Sequence, residues 1–433
     1  MADFSAAMAK IHAFRKRFEA LVESARGITP GAFEHGRNAH NRLKLLTDFG
    51  SNPGNLRMLA YVPETLPASP PVVIALHGCC QNANEYDRGS GWSRLADRLG
   101  FLVVYPEQQP ANNPKNCFSW FLSGDIARGK GEALSIHQMV EHAIEKFGAD
   151  RERVFVTGLS AGGAMAVVML ATYPETFAGG AIIAGLPYEC AKNVNEAFEA
   201  MFTDHHCSPR ILGDRVRAAS NHDGAWPRIS IWHGSADPIV KPSNAEQIVR
   251  QWTNVHSLSA TPSYEELIGA HTHQVWNDPD GDRLIEAFSI SGMAHGVPLD
   301  LNGDGESLGA AGPFFSDVGI SSTKHIANFW GLGDGFVTSC GPKIHSESFP
   351  MMATSGAIAR SERKKASSSN ADTSIRVDTQ QEASQVVSDV IAAAFKAAGL
   401  QFSDRPTGSP TPRFSPGPII EAALKAAGLK GPE

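Results

Sequence analysis

The chain has 433 residues, a formal net charge of −7 and 19% charged residues, enough length for one large α/β core with appendages. The mildly acidic balance, without a concentrated basic face, excludes a nucleic acid or an anionic membrane as the expected partner. No apolar run approaches the about 18 residues that a membrane span requires.

In chain order, Ile11, Phe14, Phe18, Leu21 and Val22 follow amphipathic spacing and predict a helical extension over residues 1–50, packed on the domain rather than on lipid. The same stretch has no apolar h-region, so no Sec signal is read and a cytoplasmic location is expected. From Leu56 onward β-type runs alternate with helical segments. Met58–Val62, Val72–Leu76, Phe101–Tyr105, Val154–Val156, Ala181–Ile183, Ile229–Trp232 and Leu284–Ser289 read as strands. Trp92–Leu99, Leu134–Phe147, Ala161–Thr172 and Asn244–Val255 read as helices. Short, almost wholly apolar strands separated by helices predict a doubly wound, mostly parallel sheet covered on both faces, with ligands at the carboxyl ends of its strands.

The central stretch is Val154-Phe155-Val156-Thr157-Gly158-Leu159-Ser160-Ala161-Gly162-Gly163. A β-branched run breaks there into small residues and then into an apolar helix. The spacing Gly158-x-Ser160-x-Gly162 fits a nucleophile elbow, in which a strained turn lifts a serine hydroxyl above the sheet edge. Ser160 is therefore the candidate nucleophile. An isolated G-x-S-x-G arises readily in a chain with 41 glycines, and the strand before it and the helix after it make the difference.

Other strand ends carry the groups such a serine needs. Val72–Leu76 runs into His77-Gly78-Cys79-Cys80-Gln81, a turn whose amides can face an oxyanion. The N–H groups of Cys79 and Ala161 are the candidate oxyanion hole, and His77 reads as a brace for that turn. Ile229–Trp232 leads to His233-Gly234-Ser235-Ala236-Asp237, placing the Asp237 carboxylate where it can accept from an imidazole. Ile290-Ser291-Gly292-Met293-Ala294-His295-Gly296 puts His295, the candidate base, in a small-residue loop after another strand. His271 and His273 are its rivals. Asp223 and Asp278, the alternatives to Asp237, read as solvated turns, the second in the hairpin signal Asn277-Asp278-Pro279-Asp280-Gly281. The order Ser, Asp, His is that of α/β-hydrolases.

Several ordered motifs then carry a family resemblance: Leu76-His77-Gly78-Cys79, Gly91-Trp92-Ser93-Arg94-Leu95-Ala96, Tyr105-Pro106-Glu107-Gln108, Cys117-Phe118-Ser119-Trp120-Phe121, Gly131-Glu132-Ala133-Leu134-Ser135-Ile136 and Gly158-Leu159-Ser160-Ala161-Gly162-Gly163-Ala164-Met165. Over about Leu56 to Leu332 the chain resembles the polyhydroxybutyrate-depolymerase family of esterases. The resemblance implies an α/β-hydrolase fold, hydrolysis of carboxylic esters through an acyl-enzyme, no cofactor, and a triad falling on Ser160, Asp237 and His295. It points to polyhydroxyalkanoate polymer or oligomers as substrate. A feruloyl, acetylxylan or small-ester esterase is the alternative, and a non-catalytic protein of polyester granules is the alternative of another class. Two features depart from the family: Cys80 stands where a small hydroxyl residue is more usual, and the secretion signal common in the family is missing. Since the resembled enzymes are often extracellular, non-classical export is the alternative to a cytoplasmic location.

Six cysteines without a C-x-x-C pair predict free thiols and no metal site. A Cys79–Cys117 disulfide stays open as the alternative. Trp120, in the Cys117 loop, is the candidate substrate-binding aromatic. Asp300-Leu301-Asn302-Gly303-Asp304-Gly305 matches the first half of a calcium loop, but its twelfth position is Ala311, so a solvated turn is expected. Residues 51–339 thus form the expected catalytic domain. Residues 340–433 form a low-complexity linker with two repeated alanine-rich helices, Val390–Leu400 and Ile419–Leu429, each closed by a glycine cap.

Overall fold

The computed structural model describes residues 42–204, 206–303 and 307–333. The expected N-terminal helix, the linker and the two alanine-rich repeats lie outside the described residues. Twelve strands are arranged in chain order: β1 (Lys44–Leu46), β2 (Arg57–Tyr61), β3 (Val72–Leu76), β4 (Leu102–Glu107), β5 (Val154–Leu159), β6 (Gly179–Ile183), β7 (Arg228–Gly234), β8 (Tyr264–Ile268), β9 (His271–Asn277), β10 (Arg283–Ile290), β11 (Val297–Leu299) and β12 (Phe315–Asp317). The first ten form one sheet in the order β1-β2-β4-β3-β5-β6-β7-β10-β9-β8, while β11 and β12 pair separately. Neighbours from β4 through β10 run parallel, and antiparallel strands flank them at both edges.

Strands β3, β4, β5 and β6 are buried at every position because both their faces are covered, and most of their residues are apolar. Val72, Ile74 and Leu76 of β3 join one core cluster, and Val73 and Ala75 join the other, as the two-residue side-chain period of a strand requires. The first core takes Ile136, Met139 and Val140 of α4 (Gly131–Phe147), most of α5 (Ala161–Thr172), and Ile248 and Trp252 of α8 (Ser243–Val255). The second takes Tyr86 of α1 (Ala83–Ser90), Trp92 and Leu95 of α2 (Trp92–Leu99), and Ile326 and Phe329 of α9 (Ser322–Phe329). Every residue of α5 is buried, which explains a segment apolar all round. The remaining helices are α3 (Ser123–Ile126), α6 (Val194–Phe202) and α7 (Pro209–Ala218).

The strands and helices expected between Met58 and Ser289 all form, with ends displaced by up to three residues. Strand β1 begins inside the stretch assigned to the N-terminal extension, and its antiparallel pairing with β2 joins it to the sheet. Three residues carry too short an alternation to be read. Strands β8 and β9 were also missed: Tyr264–Leu267 is exposed at the sheet edge, where packing leaves little apolar pattern. The Asp278 turn does connect β9 to antiparallel β10, with the Asp278 N–H donating to Asp282 O at 2.9 Å.

Helix α5 approaches the end of β3 so closely that a Cβ on Gly162 would lie 2.3 Å from Leu76 O and 2.5 Å from His77 O. Gly162→Ala should therefore destabilise the protein by about 1–3 kcal/mol. Urea unfolding checks this: an unchanged midpoint would mean that the helix can withdraw without cost.

Candidate active site

The turn between β5 and α5 holds Ser160 at φ 57°, ψ −117°, a region that a residue with a Cβ occupies only under strain, at about 1–3 kcal/mol. The surroundings enforce it. The Ser160 N–H donates to Ile183 O of β6 at 2.9 Å. A Cβ on Gly158 would meet the Gly162 carbonyl carbon at 2.4 Å, so strand and helix can close on each other only without a side chain there. The first backbone bond of α5 runs from Ala164 N to Ser160 O at 2.8 Å. The N–H of Ala161 thus belongs to the first helical turn, whose donors have no intrahelical acceptor.

Beside this helix end lies the turn after β3. The Gly78 N–H donates to Gln81 Oε1 at 2.8 Å, the Cys80 N–H to Lys115 O at 2.6 Å and the Gln81 N–H to Gly78 O at 3.3 Å. The Cys79 N–H has no acceptor among the described residues. Cys79 is disulfide-bonded to Cys117, so the expectation of free thiols is corrected at this pair, where the β3 turn meets the loop after β4. Cys80, Cys190 and Cys207 are unbridged. The buried His77 ring accepts from the Gln108 N–H at Nε2 (3.0 Å) and donates from Nδ1 to Gly78 O (2.8 Å). Burial lowers its pKa, which suits a neutral ring with one donor and one acceptor nitrogen.

Asp237 and His295 arrive from the ends of β7 and β10. Their loops are joined by Ser235 N to Ile290 O (2.9 Å), Ala236 N to Met293 O (3.0 Å) and Gly292 N to Ser235 Oγ (2.9 Å). Gly234 permits this approach, since a Cβ there would sit 2.3 Å from Met293 O. The His295 Nδ1–H donates to Asp237 Oδ2 at 2.7 Å. Asp237 Oδ1 accepts from the N–H groups of Ile239 (2.8 Å) and Val240 (2.9 Å). His233 Nε2, bonded to Val240 O at 2.9 Å, also lies 3.3 Å from Asp237 Oδ2. Burial alone would raise the Asp237 carboxyl, but the hydrogen bonds from His233 and His295 outweigh it and hold the group well below the usual carboxylate range. With Nδ1 committed to the carboxylate, neutral His295 presents a lone pair at Nε2. Ser160 Oγ is not hydrogen-bonded to that ring here; such bonds commonly tighten only when substrate binds.

The rival histidines are engaged elsewhere. His271 bonds Val318 O and the Ser291 N–H, and His273 lies between Glu266 and Glu286 while stacking on Phe288. Trp120 is buried, edge-on to Phe121 at 5.2 Å between centroids. In the turn tested for calcium, Asn302 Nδ2 donates to Asp317 Oδ2, while Asp304 and Gly305 lie outside the described residues. Sequence reasoning missed a buried polar group behind the oxyanion turn. The Gln108 side chain donates to Glu132 Oε1 (2.6 Å) and Cys117 O (3.2 Å), and Glu132 Oε2 accepts from the Ser119 N–H (2.8 Å). Burial and then Asp125 push the Glu132 carboxyl up to about 8. Both residues stand in motifs noted above, but a one-dimensional reading gave them no partner.

A serine on a strained elbow, free amides beside it and a carboxylate-bound imidazole, all at the carboxyl edge of a mostly parallel sheet, define an α/β-hydrolase equipped for acyl transfer. The chain belongs to the esterase PHB depolymerase family, whose model matches residues 58–264. It is 46% identical over 291 residues to poly(3-hydroxyalkanoate) depolymerase C of Paucimonas lemoignei, covering 67% of this chain and 70% of that protein. It is 34% identical to feruloyl esterase B of Talaromyces stipitatus, over 60% of this chain and 74% of that one. With an acetylxylan esterase of Coprinopsis cinerea it shares 35% identity, over 59% and 70% of the two chains. Among solved structures, the acetyl xylan esterase from Aspergillus awamori superposes with a TM-score of 0.58 at 27% identity, covering 67% of this chain and 99% of that one. The protein is a serine hydrolase of carboxylic esters. Among the described residues no helix is long and apolar enough to cross a membrane.

The depressed pKa of Asp237 has a measurable consequence. Its unfolded value is about 3.9, so on acidification the unfolded chain takes up this proton first. The stabilisation is therefore present above about pH 4 and is lost as pH falls through the lower folded value. Asp237→Asn should flatten the acid limb of the unfolding free energy in a denaturation series from pH 6 to 2. An unchanged limb would show that the native carboxylate is not held in this way.

Proposed function

We propose that Ser160, Asp237 and His295 form the triad and that the enzyme cleaves poly(3-hydroxyalkanoate) chains or their oligomers. The observation that carries the triad is the strained Ser160 backbone at the same carboxyl edge of the sheet as the Asp237–His295 bond. Ser160 Oγ attacks the ester carbonyl carbon while His295 Nε2 takes its proton. The developing oxyanion accepts from the Cys79 and Ala161 N–H groups. Collapse breaks the C–O bond, and the alcohol leaves with the proton held by His295. Water then loses a proton to the same ring, attacks the acyl-enzyme and releases the acid. Asp237 keeps the ring in the required tautomer and stabilises the imidazolium. Trp120, fixed three residues beyond the Cys117 anchor, is assigned to the wall that receives the substrate. The pairing of β1 with β2 supports moving the start of the catalytic domain from residue 51 to β1, while its end at 339 and the tail beyond keep the expected boundary.

The polyester reading rests on the greater identity to a poly(3-hydroxyalkanoate) depolymerase than to the feruloyl and acetylxylan esterases. The second reading, an aryl or acetyl-sugar esterase, is supported by those relatives and by the Aspergillus awamori structure. A panel of polyhydroxybutyrate film, 3-hydroxybutyrate oligomers, p-nitrophenyl butyrate, methyl ferulate and acetylated xylan separates them. Release of 3-hydroxybutyrate from film or oligomers is expected. Turnover confined to ferulate or acetylated xylan would overturn the polyester reading.

Ser160→Ala should cost on the order of 10⁶ in kcat on a soluble ester, and retention of a few per cent would remove the nucleophile assignment. Asp237→Asn should cost about 10⁴ with KM little changed. Combining it with His295→Ala should add almost nothing to the loss of the histidine variant, because no ring remains to be oriented. Additive losses in that cycle would mean that the two side chains act independently.

A further inference from the structure

The turn that carries Cys79 is held from behind by a chain of contacts that the acyl-transfer chemistry does not itself use. Its first link is covalent, the Cys79–Cys117 disulfide. Its second is the His77 ring, which joins Gly78 O to the Gln108 N–H. Both links lead to one loop, residues 108–121, and Glu132 grips that loop at two points. Its Oε1 accepts from Gln108 Nε2 at 2.6 Å and its Oε2 from the Ser119 N–H at 2.8 Å. Cys117 lies between the two gripped residues, and its carbonyl accepts from the same Gln108 amide at 3.2 Å. Glu132 is 2% exposed.

We propose that Glu132 is a positioning residue for ester hydrolysis, whose carboxylate, acting through Gln108 and Cys117, sets the Cys79 amide against the oxyanion. This rests on the assignment of Ser160 and the Cys79 amide made above. A buried carboxylate is costly unless its oxygens are satisfied, and here both oxygens meet donors fixed on the loop. The arrangement also tolerates no amide in its place. Gln108 Oε1 already accepts from Asn112 Nδ2 (2.6 Å) and the Gln109 N–H (2.9 Å), so the Gln108 amide cannot turn round. A glutamine at position 132 must therefore point its NH2 at either the Gln108 NH2 or the Ser119 N–H, donor against donor.

The same logic gives a pH signature. The charged group facing Glu132 is Asp125 of α3, which with burial favours the neutral acid. Gln108 and Ser119, the groups facing it from the loop, are uncharged. Ionisation converts the carboxyl into an acceptor at both oxygens, so the grip tightens as pH rises through about 8. Stability runs the other way. With a folded pKa above the unfolded one, this group's contribution is full below about pH 4 and is lost as pH rises through about 8.

The test compares Glu132→Gln with the starting full-length enzyme on a soluble p-nitrophenyl ester at pH 6 and pH 9. At pH 9 kcat should fall about tenfold to a hundredfold, short of or equal to the loss of one oxyanion donor, with KM nearly unchanged. At pH 6 the two enzymes should converge. A trifluoromethyl ketone, whose hemiketal oxygen occupies the oxyanion position after Ser160 adds to its carbonyl, should lose affinity by the same factor, whereas the parent methyl ketone should not. Inhibition constants do not depend on the folded fraction, so partial misfolding leaves this comparison intact. Gln108→Met should reproduce the loss, and the double variant should lose little more than either single one. A kcat unchanged at pH 9, a ratio flat with pH, equal weakening of both ketones, or additive losses would each overturn the proposal. Failure of the underlying reading is distinguishable, since Ser160→Ala would then retain activity.

Discussion

The first turn of α5 rests on two carbonyl oxygens at the end of β3, a contact that leaves no room for a Cβ at Gly162. That approach fixes the distance between two otherwise separate pieces of backbone, the Ser160 elbow and the Cys79 turn. The candidate nucleophile and both candidate oxyanion amides are therefore placed by one packing constraint rather than by three local preferences. It also accounts for the strain at Ser160. A φ of 57° would relax if the helix could withdraw, and the buried apolar surface of α5 holds it in place. Packing thus supplies what the local backbone opposes.

The opposite wall of the site is built by different means. β7 and β10 are adjacent parallel strands, and their outgoing loops are tied by backbone hydrogen bonds over Ser235–Ala236 and Ile290–Met293. Asp237 and His295, 58 residues apart in the chain, become neighbours because their strands are. The His233 ring, at the end of β7, adds a further donor to the carboxylate. A buried carboxylate with four donors around it has little freedom to rotate, and the imidazole it holds is correspondingly fixed.

What could be read from the sequence follows from this division. The central strands and α5 were legible because complete burial leaves continuous apolar runs, and the elbow because its glycines occur at fixed spacing. The pairing of Asp237 with His295, which the structure shows as a hydrogen bond, was legible through chain order and small-residue loops at strand ends. Edge strands β1 and β8 were not, since exposure and short length erase the pattern, and β9, one strand in from the edge, was not because two of its buried positions are histidines rather than apolar residues. His271 and His273 competed with His295 for that reason: they are strand residues of β9 with partners on β10, β8 and the Val318 segment. The disulfide stayed open because thiol spacing carries no distance.

Buried carboxylates form the part of the design that sequence hides most completely. Asp87 accepts from the Ser93 N–H, the Ser93 hydroxyl and the Tyr105 hydroxyl, and so joins α1, α2 and β4. Glu107 binds the Ala83 N–H at the start of α1 and pairs with Arg57. Glu132 grips the 108–121 loop, and Asp237 orders its own turn through two amides. Each adds several hydrogen bonds to the packing of the segments it joins. Five of their donors, the N–H groups of Ala83, Ser93, Ser119, Ile239 and Val240, belong to the backbone, which every residue but proline can offer, so those partners leave no mark on the sequence. A loop near the chemistry gains a fixed position in this way at the expense of a group that water would otherwise solvate. The two strongly shifted carboxyls, Glu132 and Asp237, accordingly serve loops at the carboxyl edge of the sheet rather than its apolar middle.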